Sequence, residues 1–369
     1  MKKILVIQTA SIGDVILATA LLEKLHHFYP EASLDFLVKK GMEPLFYRHP
    51  FIHRVLVWDK SNKYKNLHDL IHEVRRSKYD VVINVQRFAL TGLLTLFSGA
   101  KRTIGFDKNP FSLLFTKRVP HEIGPGIHEI RRNQKLIEDL TDEQAEKPRL
   151  YPGQMPDPGS RKPDPILSSG IGHPPSGTYY TISPASLWFT KQYPAERWAE
   201  LIGQMSDEST IYLLGSKSDF ELCEEIIRLV FTPKSPFAAL RSQGDLLPPI
   251  ASVAKQQGRA GEGFPSIVNL AGQLSLLESA ALMKGAQMNF TNDSAPMHLA
   301  SAVNAPVTVV YCSTTPDFGF GPLSDNRTIV EVQSELSCRP CGLHGLNKCP
   351  KNHFRCAFDI NLEHLRSRL

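Results

Sequence analysis

Four short stretches of this 369-residue chain set polar side chains in patterns that can do chemistry. The first, QTASIGD, brings Asp14 to the end of an apolar run. A strand-to-helix turn at that place usually offers backbone amides to a phosphate. A carboxylate repels phosphate but can accept a proton from a nucleophilic hydroxyl. Ser11-Ile12-Gly13-Asp14 also has the spacing of a capping box, which stabilises a helix by about 1 kcal/mol and requires no catalysis. The second stretch, FTNDSAPMHLASA, ends a strand at Thr291, turns through Asn292-Asp293-Ser294 and opens a helix at Ala295. Asp293 or Ser294 can cap that helix, its free amides and dipole suit a diphosphate, and His298 one turn in can add a donor. A capped core helix with a satisfied histidine explains the same residues.

The third stretch, SPASLWFTKQYPAERW, carries Ser186, Thr190 and Lys191 after a strand, with Pro194 suited to the first turn of the next helix. A lysine there can neutralise a phosphate, although a solvated surface lysine is the commoner fate. The fourth, LLGSKSDFE, offers Gly215 for close backbone approach and Asp219 and Glu221 as acceptors for ribose hydroxyls.

These loops need a scaffold. KILVIQT, SLDFLVK, RVLVWD, DVVINVQ and GAKRTIGF read as short buried strands, with helices at DVILATALLEKLHHF and LHDLIHEVRRSKY. Such alternation implies a parallel sheet covered on both faces. Residues 151–177 are rich in proline, glycine and serine and read as a linker. Alternation then resumes from TYYTISPAS to PVTVVYCS, broken by an insertion at 232–266. The expected organisation is therefore a first doubly wound domain over 1–150, a second over 178–340, and a cysteine-rich tail over 341–369. Two open α/β sheets of this kind bind ligands outside the carboxyl ends of their strands, in a cleft if the sheets face each other. The last residues, INLEHLRSRL, are expected to form a helix packing back toward the first domain.

Hydrophobic residues make up 42% and charged residues 21%, which calls for a packed core rather than disorder. A net charge of +5 without an aromatic-interleaved basic run argues against a nucleic-acid partner. No run reaches the ~20 apolar residues needed to span a bilayer. The apolar run of MKKILVIQTA is short and lacks a cleavage-like site, so it is read as a buried strand of a cytoplasmic protein. Cys338-x2-Cys341, Cys349 and Cys356 can bind a structural zinc ion or remain free thiols, and a disulfide framework does not fit their distribution.

With these stretches in place, the chain resembles glycosyltransferase family 9, the lipopolysaccharide heptosyltransferase family. The resemblance rests on QTASIGDVILATALL, GAKRTIGF, SPASLWFTKQYPAERW, LAGQLSLLESAALMKGA, TNDSAPMHLASAVNAPVTVVYCSTTP and GFGP, in the family's order. It implies a GT-B fold of two Rossmann-like domains facing each other across a cleft. It also implies inverting transfer from a nucleotide sugar, ADP-heptose, held by the second domain. The acceptor would be the lipid-A-linked core oligosaccharide of lipopolysaccharide, held by the first domain at the cytoplasmic face of the inner membrane.

By this resemblance Asp14 is the base and Lys191 the phosphate-binding lysine. Asp293, Ser294 and His298 belong to the donor site, with Ala295 where the family more often has glycine. Ser186, Thr190, Gly215, Asp219 and Glu221 complete the donor set. Ser11, Gly13, Lys101, Arg102 and Arg132 are assigned to the acceptor. No cofactor is required for catalysis, while magnesium can aid a diphosphate departure. Another nucleotide-sugar donor or glycan acceptor on the same fold, or a nucleotide-binding module without turnover, are the competing readings.

Overall fold

The computed structural model describes residues 2–124, 126–153, 178–232 and 265–369. The proposed linker, from 154 onward, and nearly all of the 232–266 insertion lie outside the described residues. The chain divides into two compact units. The first comprises Met1–Tyr151, Ser301–Val303 and Pro316–Leu323, and the second holds the remainder through Leu369.

In the first unit, strands β1 (Lys3–Ile7), β2 (Ser33–Lys39), β3 (Ile52–Trp58), β4 (Val81–Asn84), β5 (Arg102–Phe106) and β6 (Lys117–Val119) form one sheet. Its order is β3-β2-β1-β4-β5-β6, and all pairs are parallel. Helices α1 (Ile12–Phe28), α2 (Lys63–Ser77), α3 (Ala89–Phe97) and α4 (Glu129–Gln134) accompany it. The core gathers Leu5, Ile7, Leu37 and Val82 from the strands with Leu67, Leu70 and Val74 from α2. These α2 residues recur every three or four positions, which puts them on one face. Helix α1 behaves differently: nearly every residue from Val15 to Leu22 is buried, so it packs on more than one side.

In the second unit, β7 (Tyr179–Ser183), β8 (Thr210–Leu213), β9 (Ser266–Asn269), β10 (Met288–Asn292), β11 (Val307–Tyr311) and β12 (Arg327–Glu331) form a sheet of order β12-β11-β10-β7-β8-β9. It is again wholly parallel. Helices α5 (Ala195–Ile202), α6 (Phe220–Phe231), α7 (Leu276–Gly285) and α8 (Ala295–Ala302) connect its strands. The order reverses beside β1 in the first sheet and beside β7 in the second. At such a point the chain leaves adjacent strands in opposite directions and opens a crevice at their carboxyl ends.

Two expectations change. Residues 316–323, which contain GFGP, cluster with the first unit rather than with the rest of 178–340. Phe320 and Leu323 pack there against Leu17, Ala20 and Ile130. The last residues form α10 (Glu363–Arg366) after α9 (Arg355–Phe358), and Ile360, Leu362 and Leu365 join the core of the second unit with Trp198 and Val330. They do not turn back to the first domain. No helix among the described residues is long and apolar enough to cross a membrane.

Candidate active site

In the first unit, the turn from β1 into α1 is held by a reciprocal cap. The Ser11 hydroxyl donates to Asp14 Oδ2 at 2.6 Å, the Ser11 amide donates to the same oxygen at 3.1 Å, and the Asp14 amide donates to Ser11 Oγ at 3.3 Å. The capping box is thus present, and it engages one oxygen of a half-buried carboxylate. Ser11 is engaged in this cap at an exposed position, and Gly13 is buried inside the helix.

The surroundings of Asp14 include groups that sequence reasoning did not single out. Lys60, just beyond β3, donates to the Thr9 carbonyl at 2.9 Å, and burial together with Lys39 and Lys63 pulls its amine below the ordinary lysine value. The buried Gln86 side chain, just beyond β4, touches Thr9 and Gln8 at 2.8 Å each, tying the two central loops together. Glu129 opens α4 and pairs with Arg132 at 2.6 Å. Burial pushes the Glu129 carboxyl above its ordinary range against the pull of Arg132, and the charge of Asp14 adds to the push.

The acceptor assignments of three cations are corrected by this arrangement. Arg132 is 3% exposed and donates to the carbonyls of Ile127 and Phe318 besides Glu129, so it braces the 316–323 segment instead of facing a ligand. Arg102 is level with Val81 and hence with Ile4, about 10 Å along the strand from the carboxyl end of β1. It pairs there with Asp139. Lys101, at the same amino edge, pairs with Asp80 at 2.7 Å. In a parallel sheet this edge is the one opposite the Asp14 turn.

In the second unit, the loops after β7, β10 and β11 converge. Lys191 Nζ meets Asp293 Oδ2 at 2.7 Å, with the two side chains 14% and 10% exposed, and the Thr314 hydroxyl donates to the same oxygen at 2.6 Å. Asn292 binds the loop after β7 twice, accepting from the Tyr193 amide at 2.9 Å and donating to the Pro184 carbonyl at 2.6 Å. The lysine is therefore an oriented, paired group and not a solvated one. Ala295 opens α8 and His298 is buried within it. The Ser294 hydroxyl reaches the Asn292 carbonyl at 3.5 Å. Ser186 accepts from the Trp188 amide at 3.4 Å, a contact that shapes its own turn.

Other donor assignments shift as well. Thr190 is buried, and its oxygen receives the Leu346 amide at 2.8 Å and the Ser313 hydroxyl at 2.9 Å, so its role is to hold the loop around Gly345. Gly345 has φ +76°, and a Cβ there would stand 2.8 Å from Lys191 Cγ. Only glycine lets that loop lie against the lysine stem. Gly215 likewise has an internal reason: its Cβ would stand 2.9 Å from that of Asp219. Asp219 Oδ2 accepts from the Ser216 amide and hydroxyl, both at 2.7 Å, in a second capping box. Glu221 lies exposed in the first turn of α6, where a carboxylate favours the helix dipole.

The tail cysteines are all free thiols. Among the described residues no three His, Cys, Asp or Glu side chains are grouped so as to hold a metal ion. Cys338 Sγ lies 3.8 Å from His353 Nε2, and Cys341 donates to the Cys338 carbonyl at 3.3 Å. Cys356 sits in the apolar core, where burial pushes its thiol up to about 12. Cys349 is instead held below the ordinary thiol value, because the amides of residues 351–354 outweigh its slight burial. As arranged among the described residues, these side chains are not grouped as a zinc site.

The sequence model of glycosyltransferase family 9 (heptosyltransferase) matches residues 67–239 and 251–345, which is most of the chain. The chain belongs to glycosyltransferase family 9. As a member of this family it is an enzyme that transfers a sugar. Lipopolysaccharide heptosyltransferase 1 of Pseudomonas aeruginosa is 23% identical over 382 aligned residues, covering 98% of this chain and 92% of that protein. Lipopolysaccharide heptosyltransferase 2 of Escherichia coli K12 is 24% identical, covering 89% and 88%. The fold matches the structure of E. coli ADP-heptose lps heptosyltransferase II with a TM-score of 0.71 at 21% identity, over 100% and 98% of the two chains. It also matches the family 9 glycosyltransferase of Veillonella parvula at 0.74 and 20%, over 100% and 96%. The expected GT-B fold class is thereby met.

Proposed function

We propose that this glycosyltransferase moves a heptose from ADP-heptose to the inner core of lipopolysaccharide with inversion at the anomeric carbon, working at the cytoplasmic face of the inner membrane. The relatives that match over about nine-tenths of both lengths carry the name heptosyltransferase, and this supports the choice of sugar. The observation that carries the reading within this chain is the contrast between a carboxylate at one carboxyl edge and a held lysine beside a helix N-terminus at the other. Asp14 takes the proton of the acceptor hydroxyl as its oxygen bonds to the anomeric carbon. The bond from that carbon to the diphosphate breaks, and ADP leaves with the electron pair. Lys191 and the first amides of α8 stabilise the charge that grows on the diphosphate. Interactions that strengthen as this charge develops lower the barrier, whereas those complete in the ground state do not.

Calorimetry with ADP, UDP and GDP, followed by transfer from ADP-heptose to a heptose-free core acceptor, tests this. The expected results are ADP binding at least about tenfold tighter than the other two, and a product whose anomeric configuration by NMR is opposite to that of the donor. A preference for UDP or GDP removes ADP-heptose from the reading, and a product of retained configuration removes the inverting mechanism.

A further inference from the structure

The carboxyl edge of the first sheet carries a second feature beyond the Asp14 turn. Arg87 and Phe88 follow β4, Lys108 follows β5, and His121 and Ile123 follow β6, and these five line a hollow of about 500 Å³. The three loops are pinned to one another. Asn109 Nδ2 donates to the carbonyls of Gln86 at 3.2 Å and Phe88 at 3.0 Å, and the His121 amide donates to Asp107 at 2.9 Å. The Ser112 hydroxyl donates to the Asp107 carbonyl at 2.9 Å, which fixes the single 3-10 turn Ser112–Leu114 beside them.

This pinned surface presents apolar side chains to solvent. Leu113 is 78% exposed, Phe88 64% and Leu114 62%. Packing explains none of them, since the residues that anchor the turn are Ser112 and the buried Phe115. Some cations elsewhere in the unit are neutralised. Lys101, Arg102, Lys117 and Arg132 each meet a carboxylate. Among the described residues Arg87 and Lys108 make no hydrogen bond or close ion pair, and both are exposed, although the charge of Arg87 is felt by Glu129 and His121.

We propose that this face docks the first unit onto an anionic lipid bilayer. Leu113, Leu114 and Phe88 enter the interfacial layer, and Arg87 and Lys108 meet lipid phosphates. Exposed leucines and an aromatic ring beside exposed cations are the chemistry that binds an anionic membrane surface. A stable protein partner needs roughly 800 Å² from each side, more than these few side chains present. The inference rests on the reading that the acceptor is lipid-linked, and it adds where the chain meets the lipid.

The test is co-sedimentation of the full-length protein with phosphatidylcholine vesicles, with and without phosphatidylglycerol. Binding is expected to be about tenfold or more tighter with the anionic lipid, and to weaken as salt is raised. The pair Leu113→Ser/Leu114→Ser and the pair Arg87→Ala/Lys108→Ala should each cut it about tenfold, with circular dichroism and Tm unchanged because all four residues are exposed. Wild-type-like vesicle binding by the leucine pair overturns the proposal, as does equal or absent binding to both vesicles. Displacement from vesicles by millimolar glycerol phosphate also overturns it, since that places the recognition in a free phosphate. Calorimetric ADP binding on the same samples separates the two readings: its loss with vesicle binding intact counts against the donor assignment and leaves the docking face standing.

Discussion

The turn after β1 and the turn after β10 hold corresponding places in two sheets of the same architecture, yet they arrange charge oppositely. Asp14 in the first is a half-buried carboxylate whose Oδ2 is engaged, among the described residues, by its own cap alone. Asp293 in the second is nearly buried, and its Oδ2 is shared by a lysine 102 positions away in sequence and by Thr314. The first carboxylate is fixed locally, over three residues. The second serves as an anchor for a cation. The same residue type is thus held in two ways, by a local cap in one turn and by a tertiary ion pair in the other.

Substitution should expose that difference most sharply. Asp14→Asn is expected to lower kcat by about 10²–10⁴-fold, the range of a lost general base, with Tm nearly unchanged because an amide oxygen can still accept from the cap. Lys191→Ala is expected to lower kcat/KM by about 10²–10³-fold and also to destabilise the second unit by about 3 kcal/mol, since it strands Asp293 in a nearly buried site. The double variant Lys191→Met/Asp293→Asn should recover most of that stability and none of the activity. Transfer kinetics with urea titrations of all three variants check this. If Lys191→Ala is inactive but fully stable, the pair does not orient the lysine.

The two carboxyl edges also differed in how far they could be read from sequence. The Asp14 cap is written in four consecutive residues, and the structure has it. Strands β1, β2, β4 and β11 are mostly or wholly buried and leave largely apolar runs. The edge strands β6 and β12, with sequences KRV and RTIVE, leave no such run and were not anticipated. Long-range polar pairing was the least legible. Nothing local announces that Thr190 serves Leu346, that Arg132 serves Phe318, or that Lys60 reaches Thr9. A lysine or arginine near a ligand loop looks the same in sequence whether it faces the ligand or holds the loop.

Acid provides a milder test of the first unit. His121 is held down to about 4 by burial and by Arg87 and Arg132, and His49 is held at about the same value by burial and His26. Both rings bind protons more weakly in the folded chain than in the unfolded one, whose ordinary value is 6.5. The stability they confer is therefore present above about 6.5 and is lost as pH falls toward about 4. A lower Tm at pH 5 than at pH 7 is expected, and His49→Phe should narrow the gap, since Phe keeps the edge-on packing with Phe51 and Tyr151. An unchanged gap would mean that His49 protonates freely within the fold.

The smallest expected effect falls at the other edge of the same sheet. Lys101 has the loop position and charge of an acceptor contact, but Arg102 beside it is level with Ile4 at the amino edge. Its amine is directed to Asp80, and that carboxylate also takes the Lys3 amide at 2.9 Å. A ligand at the carboxyl ends of the strands has no reach to this pair, and an exposed pair contributes little to stability. Lys101→Ala should therefore leave kcat, acceptor KM and Tm at wild-type values, within about twofold for the kinetics. An acceptor KM raised tenfold would instead show that the acceptor extends over the amino edge, and the division of the sheet into a reacting edge and a structural edge would fail.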